Sequence, residues 1–291
     1  MSTPNPATAF YATSRSARWL GAALRGAQAL SPGLGMRFAL RLFFTPLPLK
    51  LAARRRALPP GWQLTHWPFE QGTVAVYRRA DLPPGLPTVL LVHGWAGDAM
   101  QMRPLGDALA AGGFAPVLLD FPAHGRSAAW RSTLPQFVRA LWAASARLGP
   151  LHAVVAHSLG ALAASHAAAS GLPVQRLALL APPPPPGIFL HWFSGSFGLG
   201  STLAERMRAA IERREGVPLH QFEPAWLGER LAQPTLLVHD EGDRVAPLAG
   251  SQALLRALRD ARLTTTQGLG HRRVLSDGAT IAAVVEHVRA K

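Results

Sequence analysis

From residue 88 onward the chain alternates short, continuous apolar runs with longer helix-forming stretches. The runs at 88–92, 116–119, 153–156, 177–181 and 235–238 show no polar alternation, which is the pattern of strands buried on both faces. Between them, segments 99–111, 134–148, 159–169 and 249–258 have the length and composition of crossover helices, and 262–266 predicts a last strand. Upstream the period changes to two, in Trp62-Gln63-Leu64-Thr65-His66-Trp67 and again in Thr73-Val74-Ala75-Val76-Tyr77. That alternation predicts an antiparallel hairpin turning at Gln71-Gly72. The expected fold class is therefore α/β, a doubly wound and mostly parallel sheet.

The rhythm breaks once, where more than fifty residues separate the run ending at Ala181 from the one starting at Thr235. A structureless loop of that length is uncommon in a compact domain, so 182–230 is expected to be an inserted helical cap. It opens on Pro182 to Pro186, a stretch stiff enough to act as a riser, passes through the aromatic Ile188-Phe189-Leu190-His191-Trp192-Phe193, and predicts a helix over 202–214. The expected organisation is a basic amphipathic arm over 1–58, an α/β core from 59–181 and 231–291, and the cap between.

Charge changes the picture mainly in the arm. The 291 residues carry a net +14, but no Asp or Glu precedes Glu70, while Arg15, Arg18, Arg25, Arg37, Arg41, Lys50, Arg54, Arg55 and Arg56 all do. These arginines sit among Trp19, Leu20, Leu24, Phe38, Leu42, Phe43 and Phe44. No interleaved aromatic/basic platform or recognition motif for nucleic acid is present. Two readings of the arm stay open: amphipathic helices packed on the core, or a peripheral membrane contact. No apolar run reaches about 18 residues without a charge, and the charges do not precede an apolar stretch as in a cleaved leader. The expected location is the cytoplasm, peripheral to the inner membrane face if the arm meets lipid. With no cysteine, disulfides and thiolate chemistry are excluded. The pattern is silent on oligomeric state.

The candidate chemistry lies in loops that follow the apolar runs, where open parallel sheets place their ligands. Val154-Val155-Ala156-His157-Ser158-Leu159-Gly160-Ala161 is an apolar strand that turns at a serine straight into an Ala/Leu-rich helix. Such an elbow exposes a hydroxyl and aims the first N–H groups of the helix at whatever it attacks. The other loops are His93-Gly94-Trp95-Ala96-Gly97-Asp98, Asp120-Phe121-Pro122-Ala123-His124-Gly125-Arg126-Ser127, the acidic His239-Asp240-Glu241-Gly242-Asp243-Arg244-Val245-Ala246-Pro247, and Gly268-Leu269-Gly270-His271. Asp240, Glu241 and Asp243 compete as the acid. His93, His124 and His157 have the setting of imidazoles bonded to backbone in tight loops, and Asp120 that of a turn anchor. The pair Arg272-Arg273 stays open between attraction of an anionic substrate and a solvated or bonded structural pair. No metal-ligand spacing, phosphate loop or dinucleotide fingerprint occurs, so no cofactor is expected.

These stations in this order resemble the α/β-hydrolase family over roughly two-thirds of the chain. The sequence departs from the family pattern at Ala156, for the first elbow glycine, and at Ala123, for the glycine before His124. The resemblance implies that Ser158 is the nucleophile, His271 the general base, Asp243 the acid that orients His271, and the N–H groups of Trp95 and Leu159 the oxyanion hole. A serine at the elbow excludes relatives that need a carboxylate nucleophile. The implied activity is hydrolysis of a carboxylic ester or related acyl bond in a small to medium, partly apolar substrate, with Trp95, Phe189, Trp192 and Phe193 as pocket residues. The same triad would serve C–C or thioester hydrolysis or a perhydrolase reaction, and a non-catalytic binding protein of this fold is the reading from another class.

Overall fold

The computed structural model describes residues 15–46 and 50–290, with side chains from Trp19 onward. Among them, eight strands form one sheet: β1 (Trp62–Phe69), β2 (Gly72–Arg79), β3 (Thr88–Val92), β4 (Ala115–Leu119), β5 (Leu151–His157), β6 (Val174–Leu180), β7 (Thr235–Asp240) and β8 (Ala261–Thr266). Their order is β1-β2-β4-β3-β5-β6-β7-β8, antiparallel for the first two pairings and parallel thereafter. Burial follows position in that order. β7 is buried throughout and β3 at all but its first residue, whereas the edge strand β8 has no buried residue. This is why the inner strands read as continuous apolar runs.

Successive residues of each inner strand point to opposite faces, and the sheet divides the core accordingly. Leu90, Val92, Val154, Ala156, Leu177, Leu179 and Leu237 face one cluster, and Val89, Leu91, Val155, Ala178, Leu180, Leu236 and Val238 the other. The first cluster is covered by α5 (Leu134–Leu148) and α6 (Leu159–Ala169), and the second by α4 (Arg103–Ala111) and α12 (Gly278–Arg289). The hairpin differs from the expectation by one residue. Phe69 pairs with Gly72, so the turn is Glu70-Gln71 and Gly72 opens β2. A Cβ on Gly72 would lie 2.8 Å from Ala128, so close packing against the loop after β4 accounts for this glycine.

Between β6 and β7 the chain forms α7 (Pro186–Ser196), α8 (Ser201–Glu215) and α9 (Pro224–Arg230). The proline run does not stand free of the core. Pro182, Pro183 and Pro184 are buried, their backbone lies against Gly250 in α10 (Ala249–Ala257), and Pro186 opens α7, where its missing N–H costs nothing.

Before β1 the described part of the arm forms α1 (Arg15–Leu30), α2 (Pro32–Phe43) and α3 (Lys50–Arg55). Residues before 15 lie outside the described part. The first two helices make a hairpin so close that a Cβ on Gly35 would meet Gln28 Cα at 2.7 Å. The hairpin packs on the cap: Arg25 Nη1 donates to Phe197 O at 2.8 Å, and Phe43 meets Phe193 edge-on at 5.4 Å. Leu24, Ala39 and Phe44 join the same apolar cluster as α5, α6 and the cap. The arm then crosses the loops after β3 and β4. Phe44 O accepts from Ser132 N–H at 3.0 Å, Arg56 pairs with Asp98 at 3.1 Å, and Lys50 donates to Ala129 O.

Lys50 has lost most of its solvent, and burial followed by the nearby Arg54 charge lowers its pKa from 10.5 to about 8, against a weaker opposing pull from Asp120. Between those two values the unfolded chain holds the proton that the folded chain has released. Folding stability therefore rises with pH across that interval. Lys50→Met is expected to remove this rise in urea unfolding midpoints measured from pH 7.5 to pH 10.5; an unchanged profile would place Lys50 in solvent.

Candidate active site

Because β3 to β8 run parallel, the loops after β3, β4, β5, β7 and β8 gather at one edge of the sheet. Ser158 stands between β5 and α6 with φ 53° and ψ −126°, a conformation that costs a non-glycine residue on the order of 1–3 kcal/mol. Its N–H donates to Leu180 O of the neighbouring strand at 2.9 Å, which fixes the turn. Ser158 is 6% exposed.

The glycines explain the shape of the elbow and the motif's departures. A Cβ on Gly160 would sit 2.3 Å from His93 O, and one on Gly94 would sit 2.6 Å from Ser158 Cβ. The loop after β3 is thus pressed directly onto the elbow, and both glycines are required by contact. Ala156 is different, since it lies within β5 in register with Val92 and Leu179 and its methyl fills the core. Ala123 keeps the left-handed turn expected of a glycine, with φ 68°, at a backbone cost of about 1 kcal/mol.

Three sequence-predicted residues meet at hydrogen-bond distance. Ser158 Oγ donates to His271 Nε2 at 2.9 Å, and His271 Nδ1 donates to Asp243 Oδ2 at 2.7 Å. Asp243 Oδ1 accepts from the N–H groups of Val245 and Ala246 at 2.7 and 2.9 Å. Burial would raise the Asp243 pKa, but the hydrogen bond and charge of His271 and these two N–H donors outweigh it, and the carboxyl titrates below its ordinary range. The other two acids have different partners. Asp240 accepts from Gly242 N, Leu269 N and Thr266 Oγ1, tying its loop to the turn that carries His271, and the exposed Glu241 meets Gln267. That bracing role of Asp240 was not legible in the sequence, where it stood only as a competing acid.

Leu159 is the first residue of α6, so its N–H has no acceptor within that helix, and Trp95 follows Gly94 in the loop pressed on the elbow. The Trp95 ring stacks on Phe137 at 6.1 Å and meets His124 edge-on at 5.1 Å. In the cap, Phe189 and Trp192 are half-buried and pair edge-to-face at 5.2 Å. Phe193 is fully buried between Phe43 and Phe197 and holds the cap to the arm.

The three histidines set aside as structural in the sequence bond to backbone. His93 Nδ1 donates to Gly94 O and its Nε2 accepts from Phe121 N, while His124 donates to Pro122 O. His157 Nε2 donates to His271 O at 2.8 Å, bracing the backbone of the residue whose ring bridges Ser158 and Asp243. Burial, then the neighbouring His271, pushes His157 well below the usual imidazole range, so it stays a neutral donor. Asp120 is fully buried and accepts from Tyr77 Oη, Ala99 N and Arg126 N, anchoring the loop after β4. Arg273 donates to the carbonyls of Leu269 and Gly268, while Arg272 is exposed. Among the described residues no group of three His, Asp or Glu is placed to hold a metal.

The family model for the alpha/beta hydrolase fold matches residues 87–233, and that for TAP-like proteins matches 209–289. The chain is 29% identical to the pimeloyl-(acyl-carrier protein) methyl ester esterase of Xanthomonas campestris pv. campestris (strain B100), over 67% of this chain and 92% of that one. It is 30% identical to the enzyme of the same name from Stenotrophomonas maltophilia (strain R551-3), over 69% and 92%. Among solved structures, 2-hydroxy-6-oxo-6-phenylhexa-2,4-dienoate hydrolase from Rhodococcus sp. strain RHA1 superimposes with a TM-score of 0.60 at 20% identity, covering 79% of this chain and 99% of that one. Est1E from Butyrivibrio proteoclasticus gives 0.57 at 16% identity, covering 78% and 96%.

The elbow packing predicts unequal losses at its two small residues. Gly160→Ala drives a methyl into the His93 carbonyl and is expected to lower urea-unfolding stability by about 2 kcal/mol or more. Ala156→Gly loses only a buried methyl and some backbone order, about 1 kcal/mol. A Gly160→Ala protein as stable as wild type would show that the loop after β3 does not press on the elbow.

Proposed function

The chain belongs to the α/β-hydrolase family and is a hydrolase, and from that premise we propose that it is a serine esterase acting through an acyl-enzyme on a small to medium, partly apolar substrate. The observation that carries this reading is one imidazole, His271, bridging Ser158 Oγ and Asp243 Oδ2. In that bridge the Nδ1–H is committed to Asp243, so Nε2 is free to accept a proton.

Ser158 Oγ attacks the ester carbonyl as its proton passes to His271 Nε2. The carbonyl oxygen becomes an oxyanion facing the N–H groups of Leu159 and Trp95, each worth about 3 kcal/mol in the transition state. The anionic Asp243 stabilises the imidazolium without taking its proton. His271 then protonates the departing alcohol, leaving Ser158 acylated. A water molecule that gives its proton to the same Nε2 attacks the acyl carbon, and release of the carboxylic acid restores the Ser158 hydroxyl. The strained elbow serves this sequence by holding the hydroxyl in place before substrate arrives, so little reorganisation is needed at reaction.

Trp95 and the Phe189–Trp192 pair supply apolar surface for the acyl chain, while Phe193 anchors the cap beside them. Two relatives named for cleaving a methyl ester support the choice of an ester bond with a small leaving alcohol.

Ser158→Ala is expected to reduce kcat/KM for p-nitrophenyl butyrate by at least about 10⁴-fold, and Asp243→Asn by about 10³- to 10⁴-fold, with unchanged circular dichroism. Full activity in Ser158→Ala would refute the nucleophile. Full activity in Asp243→Asn would remove Asp243 from the triad.

A further inference from the structure

The arm's first helix, α1, is apolar on the side that packs and, among the described residues, on the side turned outward. Toward the protein, α1 turns Gly21 against Phe197 and buries Leu24. On the opposite side Trp19, Ala22, Ala23, Gly26 and Leu30 are exposed at spacings of 3, 4, 7 and 11 residues, which is one continuous helical stripe. Trp19 is 77% exposed and Leu30 86%. Leu34, at the start of α2 and 54% exposed, lies just across the Ser31 turn from Leu30. A soluble helix that already buries one face ordinarily presents charge on the other.

The charged residues along the two helices are all of one sign. Arg37 and Arg41 follow Leu34 along α2 at helical spacing, both exposed, and neither side chain is in an ion pair among the described residues. No acidic residue precedes Glu70. The stripe's members are an indole, two leucines, alanine and glycine, with no acidic group among them. An apolar phase beneath an anionic layer complements it, with indole at the boundary and arginines in the headgroup plane. No helix among the described residues is long and apolar enough to cross a membrane, so the contact would be peripheral.

We propose that the outward face of the α1–α2 hairpin, through Trp19, Leu30 and Leu34 flanked by Arg37 and Arg41, docks the protein on the surface of an anionic lipid bilayer. The hairpin's inner face is held by the cap through Arg25 and Phe43, so docking carries the cap, and with it the side of the sheet where Ser158 lies, to the lipid boundary. The inward packing and the lipid contact use different residues and do not compete.

Co-sedimentation of the full chain with vesicles tests this, using phosphatidylcholine alone and phosphatidylcholine with about one quarter phosphatidylglycerol. Wild type is expected to bind the phosphatidylglycerol vesicles and to be released by salt. Trp19→Ser/Leu30→Ser/Leu34→Ser, which alters exposed positions only, is expected to lose about tenfold or more of that binding. Arg37→Gln/Arg41→Gln is expected to lose the preference for phosphatidylglycerol. Thermal melts by circular dichroism confirm that each variant keeps its fold. Wild type that does not sediment, a triple serine variant that sediments equally, or wild type that binds an acidic carrier protein but neither vesicle overturns the proposal.

Discussion

The close approach of two strand ends, β3 and β5, governs the rest of this structure. His93 O lies where a side chain on Gly160 would go, and Gly94 lies where any side chain would strike Ser158. Under that pressure the chain leaving β5 has to turn abruptly, which puts Ser158 at positive φ and starts α6 at the next residue. The same contact brings the backbone of the Trp95 loop beside the serine, so the loop and the elbow, proposed as oxyanion hole and nucleophile, are set by one packing event. Strain at Ser158, of order 1–3 kcal/mol, is sustained because the Leu180 hydrogen bond and the buried sheet overdetermine the turn.

The partners of the elbow are fixed by a second tier of polar contacts that lie outside the reacting groups. Asp240 fastens the end of β7 to the turn carrying His271, His157 holds the His271 carbonyl, and Val245 and Ala246 hold one oxygen of Asp243. These bonds place the imidazole between two residues that come from loops far apart in sequence. On the opposite flank, buried Asp120 gathers Tyr77, Ala99 and Arg126 and steadies the loop after β4, over which the arm then lies. The arm and cap share one apolar cluster with α5 and α6, so the cap is supported from both sides.

Much of this was legible because a parallel sheet converts sequence order into spatial neighbourhood. Continuous apolar runs marked β3, β5 and β7 since those strands are buried on both faces, and α5 and α6 were readable to the residue because Thr133 and Ser158 stand just before them. Reading the loops after those runs gathered the candidate residues, and the family resemblance singled out Ser158, Asp243 and His271 among them. What stayed hidden has physical causes. The Ile188–Phe193 stretch gave no helical signal because α7 is apolar nearly all round, packed between the arm and α8 of the cap. α9 spans only 7 residues, too few to show a helical period, and the β-branched Ile281, Val284, Val285 and Val288 of α12 read equally well as strand. Ala123 at positive φ, the one-residue shift of the hairpin turn and the bracing by Asp240 depend on contacts between distant segments, which no local pattern records. The arm's amphipathic character was plain, but not which of two apolar faces packs inward.

The central claim is that the strained serine at the elbow is the group that forms the acyl-enzyme. Reaction of the full-length protein with a fluorophosphonate, followed by peptide mapping in a mass spectrometer, tests it most directly. The account predicts a stoichiometric phosphonyl adduct on the peptide that contains Ser158, lost in His271→Ala. A folded wild-type protein that stays unlabelled, or an adduct on any other residue, would contradict it.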